Sequence, residues 1–268
     1  MGGERRLRIY LLQHGFNLSD PGAEEALYDC RALRAFVGID LGREPVPDET
    51  TLCQFRHRME RHNLGDPLFH RVNAYLKENG LQVARGTMVD ATIINAPRST
   101  RNPKKERDPE RHPTRKGSQW YFGMKAHIGV DSQTKLIHGV VATAANVPDS
   151  VVIGDLLHGG ETRVWGDSAY TGKRAAILAC APLAKDFTNR KGNRYHPLTD
   201  DERAKNHTKS RVRAKVEHAF GVMKRRFGFT NVRYKGLARN AHPLVVACAL
   251  TNLVMAKKPL LRLCIRPR

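Results

Sequence analysis

Apolar residues recur at helical spacing in residues 23–36 (Ala23, Ala26, Leu27, Cys30, Leu33), then at Leu52, Phe55 and Met59, then at Phe69, Val72 and Leu76. That is the period of a helix with one buried face. Pro47-Asp48-Glu49-Thr50 and Asp66-Pro67 suit helix starts, and Asn79-Gly80 suits a stop. Residues 1–80 therefore predict a small helical domain. From residue 86 the period changes. Residues 87–94 (TMVDATII) are short and rich in β-branched side chains, the mark of a strand. Residues 120–130 and 135–144 predict two more strands around the turn Asp131-Ser132-Gln133-Thr134, and residues 163–165 and 184–188 two short ones. Helices are expected at 149–157, 170–180, 208–227 and 243–257, with 229–234 extended. Residues 98–119 have no apolar face and predict an exposed loop. The order implies an α/β chain: a mixed sheet flanked by helices, preceded by a small helical N-terminal domain.

Charge changes the picture. Of 268 residues, 46 are Lys or Arg and 26 Asp or Glu, a net of +20 with a pI near 10.2. Residues 1–80 carry 11 basic and 12 acidic side chains, a net of −1; residues 81–268 carry 35 and 14, a net of +21. The predicted loop 98–119 alone holds 8 basic residues, 3 acidic ones and three prolines. A basic body behind a near-neutral front suits a nucleic-acid binder, because Lys and Arg displace counterions from phosphates. The near-neutral front argues against a strong DNA reader acting alone; it suits packing, dimerisation or help in binding DNA ends.

Other classes fall away. No stretch reaches the ~18 apolar residues of a spanning helix, and the best candidate, 243–256, contains Thr251 and Asn252. The N-terminus lacks the apolar core of a secretory signal. Five scattered cysteines form no CxxC or Cys/His cluster, so neither a disulfide framework nor a zinc site is indicated, and a reducing cytosol is expected. Trp120, Tyr121 and Phe122 could stack on a base, but they read as the start of a core strand, and Trp165 as packing. His127, His138 and His218 read as structural.

Three acids stand out. Alternation along MVDATII puts Met88, Asp90 and Thr92 on one face. A carboxylate inside such a strand is costly unless a cation meets it, or unless the strand is a solvated edge. Asp167, in GDSAYTG, ends a strand where open α/β sheets hold ligands, and it could equally cap the next helix. Glu217 lies in the helix KSRVRAKVEHAFGVMKRRFG with Arg213 and Lys224 on its face, an arrangement that could also be a solvated ion pair.

Taken together, MVDATIINAP, GDSAYTG and Arg213–Glu217–Lys224 resemble the signature of DDE transposases. The match is nearest to the insertion-sequence-five family, in the superfamily with the type-four transposase domain. FNLSDPGAEEALYDC, GIDLGREPVPDETTLCQFRH, MKAHIGVDSQTKLIHGV and ATAANVPDS extend the likeness from about residue 7 to 253. The resemblance implies an RNase H-like core over residues 85–257, with Asp90, Asp167 and Glu217 as catalytic, metal-holding residues. Residues 1–84 would be the helical N-terminal region, shortened relative to related sequences, and residues 258–268 a basic tail. Ser210 stands where the family motif has Tyr.

The chemistry implied is phosphodiester cleavage and transfer. Two divalent cations about 3.5–4 Å apart can serve both ends of an in-line displacement. Mg²⁺, with Mn²⁺ as a substitute, takes hard oxygen ligands from a few carboxylates and the substrate. Arg213 and Lys224 would reach phosphates, with Arg211, Lys215 and Arg225 as further DNA contacts. The resemblance implies cleavage at terminal inverted repeats, joining of 3′ ends to target DNA, a homodimer on DNA and a bacterial, nucleoid-associated setting. The alternative is a shortened remnant that occupies element ends without cutting.

Overall fold

The computed structural model describes residues 2–83, 85–97 and 107–265, with side chains placed through residue 263. The front holds α1 (Gly3–Phe16), α2 (Asp20–Asp29), α3 (Arg31–Val37), α4 (Glu49–Arg61) and α5 (Gly65–Glu78). The start predicted at Asp48 is real, and Ser19 supplies one that was not predicted. Ser19 Oγ accepts from the Gly22 N–H at 3.1 Å to cap α2, and Asp48 Oδ1 accepts from Thr51 N–H at 2.6 Å to cap α4. The single helix expected at 23–36 instead breaks at Cys30, which is extended (φ −106°, ψ 108°), and Arg34 Nη1 satisfies the freed Leu27 carbonyl at 2.9 Å. Helix α1 was not anticipated.

The sheet contains β1 (Gly86–Asn95), β2 (His112–Lys116), β3 (Gln119–Asp131), β4 (Ile137–Ala144), β5 (Arg163–Trp165) and β6 (Lys185–Asp186). Its order is β2-β3-β1-β5-β6, with β4 also paired to β3. Strand β1 is antiparallel to β3 and parallel to β5. This mixed sheet flanked by helices is the RNase H-like arrangement. Part of the segment expected as loop is strand: β2 folds back on β3 through Thr114↔Tyr121 and Arg115↔Trp120. Residues 98–106 of that segment lie outside the described residues. The hairpin leaves Trp120 56 % exposed while Phe122 is buried, so the core reading holds for Phe122 and not for Trp120.

Helices α6 (Arg174–Cys180), α7 (Asp200–Arg213), α8 (Val216–Phe227), α9 (Ala238–Met255) and α10 (Lys257–Ile265) complete the fold. The stretch 149–157 forms two 3₁₀ turns rather than an α-helix, and residues 168–170 form another before α6. Residues 229–234 make only a bridge, Asn95↔Asn231. The tail expected after residue 257 is helical through Ile265.

Alternation along β1 sends its side chains into two cores. Met88 and Ile94 pack with Met124 and Ile128 against Phe220 and Met223 of α8 and Leu244 of α9. Val89 packs on the other side with Ile153, Leu156, Val164 and Tyr170. The layer there is thin: a β-carbon on Gly129 would stand 2.4 Å from the Leu156 carbonyl oxygen, so only glycine lets that turn approach. The front helices keep a small core around Ile9, Leu27 and Leu52, while Tyr10 and Met59 join Val246 of α9. Among the described residues no single helix is long and apolar enough to cross a membrane.

Candidate active site

Strand β5 pairs with β1 only through Met88. At the far end, Asn95 bridges Asn231. Between these points that edge of β1 is open, because the chain leaves β5 at Gly166-Asp167. The result is a crevice beyond the C-terminal end of β5 and beside the middle of β1, close to where α/β sheets place ligands. Asp90 sits two residues past the last pairing, and Asp167 at the point of departure. A cleft of about 190 Å³ is lined there by Asp90, Thr92, Arg115, Lys116, Lys125, Asp149 and Asp167 among others.

Asp90 is 9 % exposed. Its Oδ1 accepts the Ala91 N–H at 2.9 Å and its Oδ2 pairs with Arg213 Nη1. Burial raises its carboxyl to about 6; Arg213 and the Ala91 N–H oppose the rise, while Asp167 and Glu217 add to it. The structure thus places both other sequence-predicted acids, Asp167 and Glu217, within electrostatic reach of Asp90. Asp167 also accepts the Ala169 N–H at 2.8 Å, so it caps the turn after β5 as well as lining the cleft. Glu217 is exposed in the first turn of α8, outside the immediate lining.

The long helix expected at 208–227 is interrupted. Lys215, Glu217 and His218 donate to Val212, Ala214 and Lys215 at 3.2 Å each, a 3₁₀ turn between α7 and α8. Arg213 is paired with Asp90, not with Glu217 four residues on, and Lys224 Nζ donates to Thr92 Oγ1 at 2.5 Å. Both cations therefore clamp the Asp90 face of β1. Desolvation lowers the Lys224 ammonium, against a raising effect of Glu217.

The other expected DNA contacts are scattered. Lys215 Nζ reaches the Ser132 carbonyl at 3.5 Å, at the opposite end of β1, and Arg225 borders a groove with Phe16 and Val254. Arg211 is exposed on α7, with no bond to the acid cluster among the described residues. None of these three joins the cleft. Ser210 Oγ accepts from Asn189 Nδ2 at 2.9 Å. Trp165 stacks on Phe187 at 5.5 Å and is packing, as expected.

Sequence reasoning missed Lys125 and Asp149. Both lie in stretches that carry the resemblance, but a Lys in a strand and an Asp after a Pro have no local signature. The buried Tyr170 hydroxyl registers the convergence: burial raises it, and Asp149, Asp90 and Asp167 raise it further.

Metal-type ligands also meet on the opposite face of β1, where donor atoms of His138, His158 and Glu161 lie within 4.8 Å of one another. Their hydrogen bonds close internally. Thr87 Oγ1 donates to Glu161 at 3.0 Å, and the His158 and Gly159 N–H groups donate to the same carboxylate at 2.8 and 2.9 Å. Gly160 N–H donates to His158 Nδ1 at 3.2 Å, which puts the His158 proton on Nε2, facing Glu161 at 3.3 Å. That tautomer leaves Nε2 no lone pair for an ion. The group clasps residues 158–161 onto β1.

Burial depresses four histidines from an ordinary 6.5: His14 to about 3, His127 to about 4, His138 to about 4, and His242 as well. Below pH 6.5 the unfolded chain takes up protons there that the folded chain refuses, so stability falls as pH drops from about 6.5 toward 4. Asp90, with its carboxyl raised, works in the opposite sense but is one group against four. The urea midpoint is expected to be lower at pH 5 than at pH 7; a higher one would contradict the burial of these rings.

Residues 82–253 match a family model described as a transposase DDE domain, and residues 3–58 match one described as a transposase domain (DUF772). The first match alone covers well over half of the chain.

Proposed function

The chain belongs to the DDE transposases, and from that premise we propose that it cuts DNA at the terminal inverted repeats of an insertion sequence and transfers the freed 3′ ends into target DNA. The observation that carries the reading is the crevice itself: Asp90 and Asp167 meet at the open edge of β1, with Glu217 in electrostatic reach, inside a basic surround.

The donor set fits a hard divalent cation. All three acids offer oxygen, and Asp90 already holds a cation, the Arg213 guanidinium, at the carboxylate oxygen that faces α7. Mg²⁺, or Mn²⁺ in its place, would be held by Asp90, Asp167 and Glu217 as one or two ions, and would supply Lewis-acid stabilisation of charge at phosphorus. Arg213 keeps the buried Asp90 ionised until then, and once released is placed to meet a phosphate as a bidentate donor. Lys224 fixes Thr92 beneath the cleft. Arg115 and Lys116 on β2 line it from above, where they would hold the DNA backbone. A larger basic groove of about 660 Å³ beyond Asp167, bordered by Arg174, Lys185, Lys205 and Lys209, suits a longer run of phosphates. Pairing two ends implies a homodimer on DNA, with residues 1–84 serving end binding or dimerisation.

A duplex carrying the terminal repeat tests this. Nicks leaving 3′-hydroxyl ends, joined products with a target plasmid, and loss of both on chelation are expected with Mg²⁺ or Mn²⁺. Binding without cutting under either ion would instead support the end-occupying remnant. Cutting without joining would leave a nuclease.

A further inference from the structure

Lys125 lies on β3 opposite Ile93, with its side chain only 14 % exposed, and it lines the cleft of Asp90 and Asp167. Its ammonium is bound on two sides, by Asp149 Oδ1 at 2.9 Å and the Val147 carbonyl at 2.8 Å. An ammonium has three N–H donors, and among the described residues these are its two partners. One donor remains. Asp149 is itself held close to the acids, because its 3₁₀ turn (Asp149–Val151) packs against the turn that begins after Asp167.

His127 does not share this duty. Thr143 Oγ1 donates to the Ala144 carbonyl at 3.1 Å and therefore accepts from His127 Nε2 at 2.8 Å. The proton on Nε2 leaves the His127 Nδ1 lone pair 3.8 Å from Asp149, too far and of the wrong polarity to hold it. Among the described residues Lys125 is the cation paired with Asp149. A buried Lys–Asp pair adds little to stability compared with apolar packing of the same volume. Its position in the cleft is a better account of why an ammonium stands there.

We propose that Lys125 is a further catalytic residue of this site, donating its remaining N–H to a non-bridging oxygen of the scissile phosphate, with Asp149 as its positioning residue. The proposal rests on the transposase reading above. As the entering oxygen bonds to phosphorus and the leaving oxygen departs, negative charge accumulates on the non-bridging oxygens. A desolvated cation already held by one hydrogen bond and one ion pair stabilises that charge without reorganising. No proton is transferred; Lys125 stays an ammonium throughout and donates a hydrogen bond only. Arg213 and Lys224 reach the site from the α7–α8 side of β1, whereas Lys125 approaches from the opposite face, so the phosphate is met from both.

The test uses the full chain and the terminal-repeat duplex. Lys125→Met is expected to lower the single-turnover cleavage rate at saturating DNA about 100-fold, the size seen when one such donor is removed, with half-saturation weakened only by the loss of one phosphate contact. Lys125→Arg should restore part of the rate. Asp149→Asn should lower the rate alone, yet add nothing in the Lys125→Met background. Wild-type cleavage by folded Lys125→Met, or independent multiplying effects of the two substitutions, overturns the proposal while leaving the transposase reading intact. A role in folding alone would lower the melting temperature and leave the rate per folded molecule unchanged, which also overturns it. If the wild-type chain cuts no terminal duplex, the transposase reading itself fails. DNA binding in Ca²⁺ then decides for Lys125: a salt-dependence slope smaller by about 0.9 in Lys125→Met supports one phosphate contact, and an unchanged slope overturns it.

Discussion

Replacing Asp90 by Asn is expected to reduce DNA cleavage on the order of a thousandfold, because a carboxylate that both holds a cation and faces the reacting phosphate contributes several kcal/mol to the transition state. The fold should survive. Burial has raised this carboxyl to about 6, so its ionised form is a cost to the folded state at neutral pH. Asn removes that charge and keeps an acceptor for the Ala91 N–H now bound at 2.9 Å. The cost appears instead at Arg213, which loses its ionic partner. The two changes oppose each other, so the melting temperature should move little while activity collapses. Asp167→Asn should behave likewise, with a small loss from a weaker cap on the turn at Ala169. A parallel fall in melting temperature and cleavage would make Asp90 a scaffold residue; undiminished cleavage would remove it from the site.

Asn252→Leu is expected to be the most damaging substitution outside the site. Strand β4 is an edge strand, paired through β3 alone. At its first residue, Ile137, the ladder has just slipped at Gly129/Val130. The Asn252 amide from α9 stands in for a missing neighbouring strand there. Its Oδ1 accepts the Ile137 N–H at 2.8 Å, and its Nδ2 donates to the Ile137 carbonyl at 2.6 Å and to Asn73 Oδ1 at 2.8 Å. Asn252 is fully buried, so Leu leaves both Ile137 backbone groups without partners and without water. At roughly 1–3 kcal/mol for each orphaned group, the loss should be about 3–4 kcal/mol, on the order of 10 °C in melting temperature for a chain of this size. Asn252→Asp, which keeps the acceptor and loses the donors, should also destabilise. A shift of only a degree or two in thermal denaturation for the Leu variant would show that β4 does not depend on this clasp.

Asn252 also illustrates what could be read in advance. In the sequence it was a polar residue that spoke against a membrane span. Its partner is 115 residues away, and the bond exists because α9 crosses the start of β4. The same distinction runs through the candidate site. Asp90 was legible because alternation in β1 is local, and Asp167 because GDSAYTG ends a strand. Arg213 and Lys224 could be singled out from the sequence, but their bonding could not. Helical spacing offered Glu217 to Arg213, whereas the 3₁₀ turn after Arg213 lets it reach Asp90, 123 residues away. Lys125 and Asp149 had no signature at all, since their meeting depends on β3 register and on the turn over β5.

The sequence by itself determined the period of its elements, the helix start at Asp48, the switch from helical front to mixed sheet, and the basic body that marks a partner with phosphates. These are properties of neighbouring residues, set by backbone geometry and by charge that needs no particular partner. Tertiary structure alone decided which strands close the sheet, where β1 is left open, and which cation faces which acid. Those follow from strand register and helix packing, where a shift of one residue reverses a side chain's face. The crevice beside Asp90 exists because β5, which ends at Trp165 as its local pattern predicts, is registered with Trp165 opposite Met88, and no local pattern in the chain encodes that register.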